Sequence, residues 1–128
     1  MLDLAGVVLP ETMTSLGTRA FYSCDSLKEI TIPGKILYVL ADTFAMCRRI
    51  QTIRISDGVI VVRKNAFNGI IGLRTLYLPK TIIAFEDAIQ GSYQLTDVYY
   101  AETAEEFAKI VHSEYFDRVN VYYDYQNE

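Results

Sequence analysis

Cys24 and Cys47 are the only two thiols in the chain, and they stand 23 residues apart. A disulfide is the first chemistry such a pair offers. If the spacing is a structural period, the two side chains point the same way with Cβ atoms about 5 Å apart, against the roughly 3.8 Å that a bridge prefers. Both are therefore expected to be reduced and buried, packing as small hydrophobes. His112 is the sole histidine. As a general base it needs an activated nucleophile, and no Ser-centred or Cys-centred motif supplies one. Its expected role is a favourable charge near a helix C-terminus. Glu105-Glu106 reads as the first turn of a helix and Asp57-Gly58 as a turn, and neither has metal-ligand spacing. No catalytic residue, cofactor site or metal site is expected, and the chain does not read as an enzyme.

Tyrosine is the more informative type. Ten tyrosines occur in 128 residues, with Tyr77, Tyr99, Tyr100, Tyr122, Tyr123 and Tyr125 toward one end. Exposed Tyr and Arg are enriched where proteins recognise partners, so the elements that position them decide the reading. Those elements come from a repeat. Phe21, Phe44 and Phe67 recur with a step of 23, and so do Leu27/Ile50/Leu73, Ile30/Ile53/Leu76, Ile32/Ile55/Leu78 and Val39/Val62/Phe85. Backwards, the register reaches Leu4, Val7, Leu9 and Leu16. Forwards the step shortens to 22, where Ala88, Ile89, Leu95, Val98 and Tyr100 answer Ala66, Phe67, Leu73, Leu76 and Leu78. A period in the 20–29 residue window with an L-x-x-I-x-I strand segment is a leucine-rich-repeat pattern.

The segments AFYSCDSLKEITIP, FAMCRRIQTIRIS and AFNGIIGLRTLYLP resemble the BspA-like leucine-rich repeats. The resemblance implies a right-handed α/β solenoid of about four coils with short parallel strands. Residues 1–101 would be the repeats and 102–128 a helix-then-strand closing segment of the same single domain. It also implies a protein-interaction role of the kind found on bacterial surfaces, and an extracellular or surface location. It brings no catalytic site. The opening residues MLDLAGVVL lack a basic flank and do not read as a signal peptide. The chain either stays inside or belongs to something longer.

Alternation along a strand sends Ile30 and Ile32 inward and Glu29 and Thr31 outward. The outward columns are then Lys28/Gln51/Arg74/Thr96, Glu29/Thr52/Thr75/Asp97 and Thr31/Arg54/Tyr77/Tyr99. Arg54, Tyr77, Asp97 and Tyr99 form the candidate binding face, for a protein or, through Tyr77 and Tyr99, for a carbohydrate. A purely structural part of a larger repeat protein is the third reading. On the far side of each coil, Leu37, Tyr38, Ile60, Val61 and Ile83 form an apolar stripe suited to a weak homodimer or a neighbouring domain. The first coil, Leu2 to Leu9, has no polar cap and is expected to offer an edge for association.

The aromatic column Phe21, Phe44, Phe67 is the expected buried spine, reached through a short helical turn in each coil. Thr103-Ala104-Glu105-Glu106 fits a capping box. It starts a helix whose apolar face is Ala104, Phe107, Ala108, Ile110 and Val111, before a closing strand at Val119-Asn120-Val121-Tyr122.

The 51% hydrophobic content gives one domain a core. Twelve basic against sixteen acidic residues leave a net charge of −4 and no basic run, so nucleic acid is not an expected partner. The longest apolar run, Ile36 to Ala41, is far short of the roughly 20 residues of a membrane-spanning helix.

Overall fold

Short runs such as Glu29-Ile30-Thr31-Ile32 alternate β-branched apolar residues with polar ones, which suits a pleated surface covered on one side. In the computed structural model, which describes residues 9–112 and 114–125, every such run is a strand. The elements in chain order are β1 (Glu29–Ile32), β2 (Tyr38–Val39), β3 (Thr52–Ile55), β4 (Val61–Val62), β5 (Thr75–Leu78), β6 (Ala84–Phe85), β7 (Asp97–Tyr100), α1 (Ala104–Phe107), β8 (Val111–His112), a 3₁₀ segment (Glu114–Arg118) and β9 (Asn120–Tyr122). Two parallel sheets result, β1-β3-β5-β7-β9 and β2-β4-β6-β8. Each coil gives one strand to each sheet, so the chain is a parallel β-solenoid of about four turns.

Register follows the 23-residue period. Ile30 pairs with Ile53, Ile53 with Leu76, Leu76 with Val98 and Val98 with Val121. Sliding a strand by one residue would turn each of these side chains outward, so the buried face fixes the pairing. The first four of these side chains are buried.

Phe21, Phe44 and Phe67 stack with centroids 5.3 and 5.5 Å apart and rings within 14° of parallel. Phe44 and Phe67 are fully buried. Phe21, at the N-terminal end of the column, is only half-buried, contrary to the expected full burial of all three. In the fourth coil Ile89 holds the sequence position of the spine, yet the ring that continues it is Phe85 of β6, 6.4 Å from Phe67.

The segments carrying these rings are tight turns, which corrects the expected helical turn. Ser23, Met46, Gly69 and Gly91, one per coil, all take positive φ, a region closed to continuous helix. The turns stack as a third ladder: the N–H of Phe21, Phe44 and Phe67 donates to Thr43, Ala66 and Ala88 of the next coil at 2.8–2.9 Å. Local helical bonds lose to this pairing between coils, which satisfies the same groups. A Cβ at Gly34 would strike the carbonyl of Asp57, and one at Gly58 that of Gly34, so two coils touch there through backbone alone.

The closing segment also departs from expectation. Thr103 caps α1 as read from sequence, accepting the Glu106 N–H at 3.2 Å, but the helix ends at Phe107. Phe107 and Ile110 are buried, whereas Ala104 and Ala108 are exposed, so the expected five-residue apolar face does not form. Val111 and His112 instead pair with Ala84 and Phe85. A helix this short is marginal by itself, and strand pairing to the previous coil is available to the β-branched Val111. His112 therefore lies on a strand and not at a helix end. The segment leaves open a groove of about 490 Å³ bordered by Phe107, Phe116, Val119, Val121 and Tyr123. Residues 2–8 of the expected uncapped edge lie outside the described residues; Leu9 is buried.

Candidate binding face

Parallel, in-register strands place equivalent side chains directly above one another at the strand spacing of about 4.8 Å. Arg54 on β3 is in register with Tyr77 on β5, Tyr77 with Tyr99 on β7, and Tyr99 with Tyr122 on β9. Alternation turns all four outward. The Tyr77 and Tyr99 rings stack at 4.9 Å and the Tyr99 and Tyr122 rings at 4.8 Å, each pair within 20° of parallel. The Arg54 guanidinium lies 4.1 Å from the Tyr77 ring centre, a cation–π contact that caps the ladder at one end. Arg54 and Tyr122 are exposed, while Tyr77 and Tyr99 between them are half-buried.

Asp97 stands beside the ladder on the same outward face. Its Oδ1 accepts the Tyr122 hydroxyl at 3.2 Å, and the Thr96 hydroxyl lies 3.1 Å from Oδ2. The hydrogen bond to the carboxylate, and its charge, push the Tyr122 phenol above its ordinary range. Arg54, Tyr77, Asp97 and Tyr99 are thus brought onto one surface.

Two members of this surface were not in the set read from sequence. Tyr122 is 23 residues after Tyr99, and treating the closing strand as one more coil identifies it. Tyr125 carries no such signal. Its ring sits 5.1 Å from Tyr77 and 5.5 Å from Tyr99, tilted by 51° and 56°.

The apolar stripe is only partly continuous. The Leu37 carbonyl accepts the Ile60 N–H and the Ile60 carbonyl accepts the Ile83 N–H, each at 2.8 Å, which lines the three residues up. Leu37, Tyr38 and Ile83 are exposed, Ile83 to 62%, and Ile60 is half-buried. Val61 is buried at 8% exposure. It is flanked in register by Tyr38 and Ala84, and a short side chain between neighbours one strand spacing away is shielded along the stack.

The thiols are free. Cys47 is buried and donates to the Phe21 carbonyl at 2.9 Å. Cys24 is only half-buried, which corrects the expected burial of both. Burial pushes the Cys47 thiol up to about 12, and burial followed by the Asp25 charge raises Cys24. Protonated thiols are poor nucleophiles and poor metal ligands. Among the described residues no group of three or more His, Cys, Asp and Glu side chains converges to hold a metal ion, and no helix is long and apolar enough to cross a membrane.

Parallel coils closed by ladders on three sides, with an outward column of stacked aromatics, define a leucine-rich-repeat solenoid. The chain belongs to the BspA type leucine rich repeat family: the model described as "BspA type Leucine rich repeat region (6 copies)" matches residues 2–117. No curated protein matches the sequence. The crystal structure of a leucine rich cell surface protein from Faecalibacterium prausnitzii A2-165 superposes with a TM-score of 0.76 at 23% identity. The match covers 81% of this chain and 28% of that one, so the chain spans under a third of that protein's length and shares its fold.

Proposed function

We propose that the chain is a non-enzymatic protein-interaction module, part of a bacterial surface or adhesion-type repeat protein, that binds a protein partner through Arg54, Tyr77, Asp97 and Tyr99. The observation that carries this reading is the ladder Arg54–Tyr77–Tyr99–Tyr122 on the solvent side of the larger sheet. Tyrosine and arginine supply large, stiff contact area and dominate the energetics of many interfaces. Their rigid spacing lowers the entropy lost on binding. A cell-surface or extracellular location is supported by the description of the Faecalibacterium protein. In the same reading the coils wind right-handed, as parallel crossovers do in nearly all cases. Residues 1–101 are the repeats, and 102–128 close them within one domain.

The wild type and a Tyr77→Ala/Tyr99→Ala variant test the assignment as baits for surface proteins and as probes of a glycan array. The expected result is a protein retained by the wild type and lost by the variant, with a blank array. Glycans bound by the wild type and lost by the variant would move the function to carbohydrate recognition on the same face. Retention indifferent to both substitutions would remove the face.

A further inference from the structure

Tyr125 follows β9 and lies on the proposed face. Its backbone N–H donates to the Tyr100 carbonyl, and the N–H of Asp124 donates to Glu102, both at 3.0 Å. Asp124 takes φ of 57°, a left-handed conformation that Asp adopts more readily than most non-glycine residues. Two consecutive backbone bonds thus deliver the Tyr125 ring onto Tyr77 and Tyr99. The ring is half-buried there. The space left between it and Arg54, Asp57, Pro79 and Ala101 is about 10 Å³, roughly the room of one water molecule. The position is filled.

We propose that Tyr125 is a tethered occupant of the face, and that the external ligand is a Tyr or Phe side chain of an extended peptide, which takes its place. The inference rests on the Arg54–Tyr77–Tyr99 surface being a binding face. It adds the ligand's chemistry and a built-in competitor. The occupant presents two features together: an aromatic ring for the tyrosine pair, and successive N–H donors for the Glu102 and Tyr100 carbonyls. A peptide with an aromatic residue reproduces both. A sugar supplies the stacking surface without the backbone donors. Because Tyr125 is attached to the same chain, it competes at a high effective concentration. Apparent affinity for the free peptide then falls with the fraction of molecules whose face is vacant.

The test titrates a blocked Gly-Tyr-Gly peptide into the full chain, followed by NMR, for the wild type, Tyr125→Ala, Tyr125→Phe and Tyr125→Ala/Tyr77→Ala. Tyr125→Ala is expected to bind about tenfold more tightly than the wild type, since two ring contacts of the competitor are gone. Tyr125→Phe, which keeps those contacts and controls for folding, should behave as the wild type. Adding Tyr77→Ala should abolish the gain, and a Gly-Leu-Gly peptide should show none. Equal affinity in the wild type and Tyr125→Ala, abolished in Tyr125→Ala/Tyr77→Ala, would overturn the tethered competitor and leave the face intact. No binding by Tyr125→Ala at millimolar peptide would overturn the ligand class. A gain that survives Tyr77→Ala would overturn both the inference and the face.

Discussion

Cys47 Sγ donates a 2.9 Å hydrogen bond to the carbonyl of Phe21, so the thiol of one coil is tied to the backbone of the coil before it. The fold favours the protonated thiol and pushes it from 9.0 up to about 12, chiefly through burial. The folded chain therefore keeps a proton that the unfolded chain releases above about pH 9. Its contribution to stability is complete below that pH and is lost as pH climbs toward 12. Melting curves of the wild type and Cys47→Ala should differ by a constant amount below pH 9 and converge above it. A difference independent of pH over that window would contradict the buried thiol. Under native conditions a thiol reagent should modify Cys24, the half-buried residue, well before Cys47.

The phenylalanine column predicts a graded response. Phe44→Ala and Phe67→Ala should each cost about 3–5 kcal/mol, because both rings are fully buried between neighbours. Phe21→Ala should cost distinctly less, since its ring is half-buried at the end of the stack. Urea unfolding of the three variants checks the order. Equal costs at Phe21 and Phe44 would mean that the column is enclosed at its N-terminal end.

The period made the strands, their register and the spine legible, because each inward position repeats an apolar type that only one pairing buries. The turns were less legible. Ser23 and Met46 do not advertise a left-handed backbone, and only Gly69 and Gly91 in the same column hint at it. Residues 104–112 satisfy a helical pattern, and a helix starts, but its propensity is outweighed by a sheet edge that the local sequence does not contain. The face shows the same division. Arg54, Tyr77 and Tyr99 follow from the register. The seat of Tyr125 depends on how the chain leaves β9, where no repeat remains to guide the reading.

Asp97 controls the Tyr122 phenol through the 3.2 Å hydrogen bond. Removing the charge with Asp97→Asn should bring Tyr122 down toward the ordinary 10.0, because the neutral phenol exchanges a charged acceptor for a weaker amide oxygen and the phenolate loses a repelling neighbour. An NMR titration of the tyrosine ring carbons reads this directly. The other ladder ring, Tyr99, should stay stacked on Tyr77, since register and not Asp97 sets that contact. An unchanged Tyr122 titration in the variant would show that the carboxylate is not its partner in solution.

The stripe on the opposite side makes a prediction about self-association whose most useful substitutions are set by burial. Leu37 and Ile83 are exposed to 43% and 62%, so lysine at either position meets solvent and should leave the monomer fold intact. Val61 is shielded between Tyr38 and Ala84 along the stack; a glutamate there must desolvate its charge or push those neighbours aside, which confounds any reading of mass. The wild type is expected to form a weak dimer at high micromolar concentration, burying the Leu37–Ile60–Ile83 line at about 25 cal/mol per Å² of apolar surface. Leu37→Lys/Ile83→Lys should be monomeric at the same concentration, with an unchanged melting temperature when both are measured dilute. Sedimentation equilibrium distinguishes the cases. A wild type that stays monomeric, or a dimer that survives both lysines, would take the stripe out of consideration as a self-association surface and leave it as a seat for a neighbouring domain.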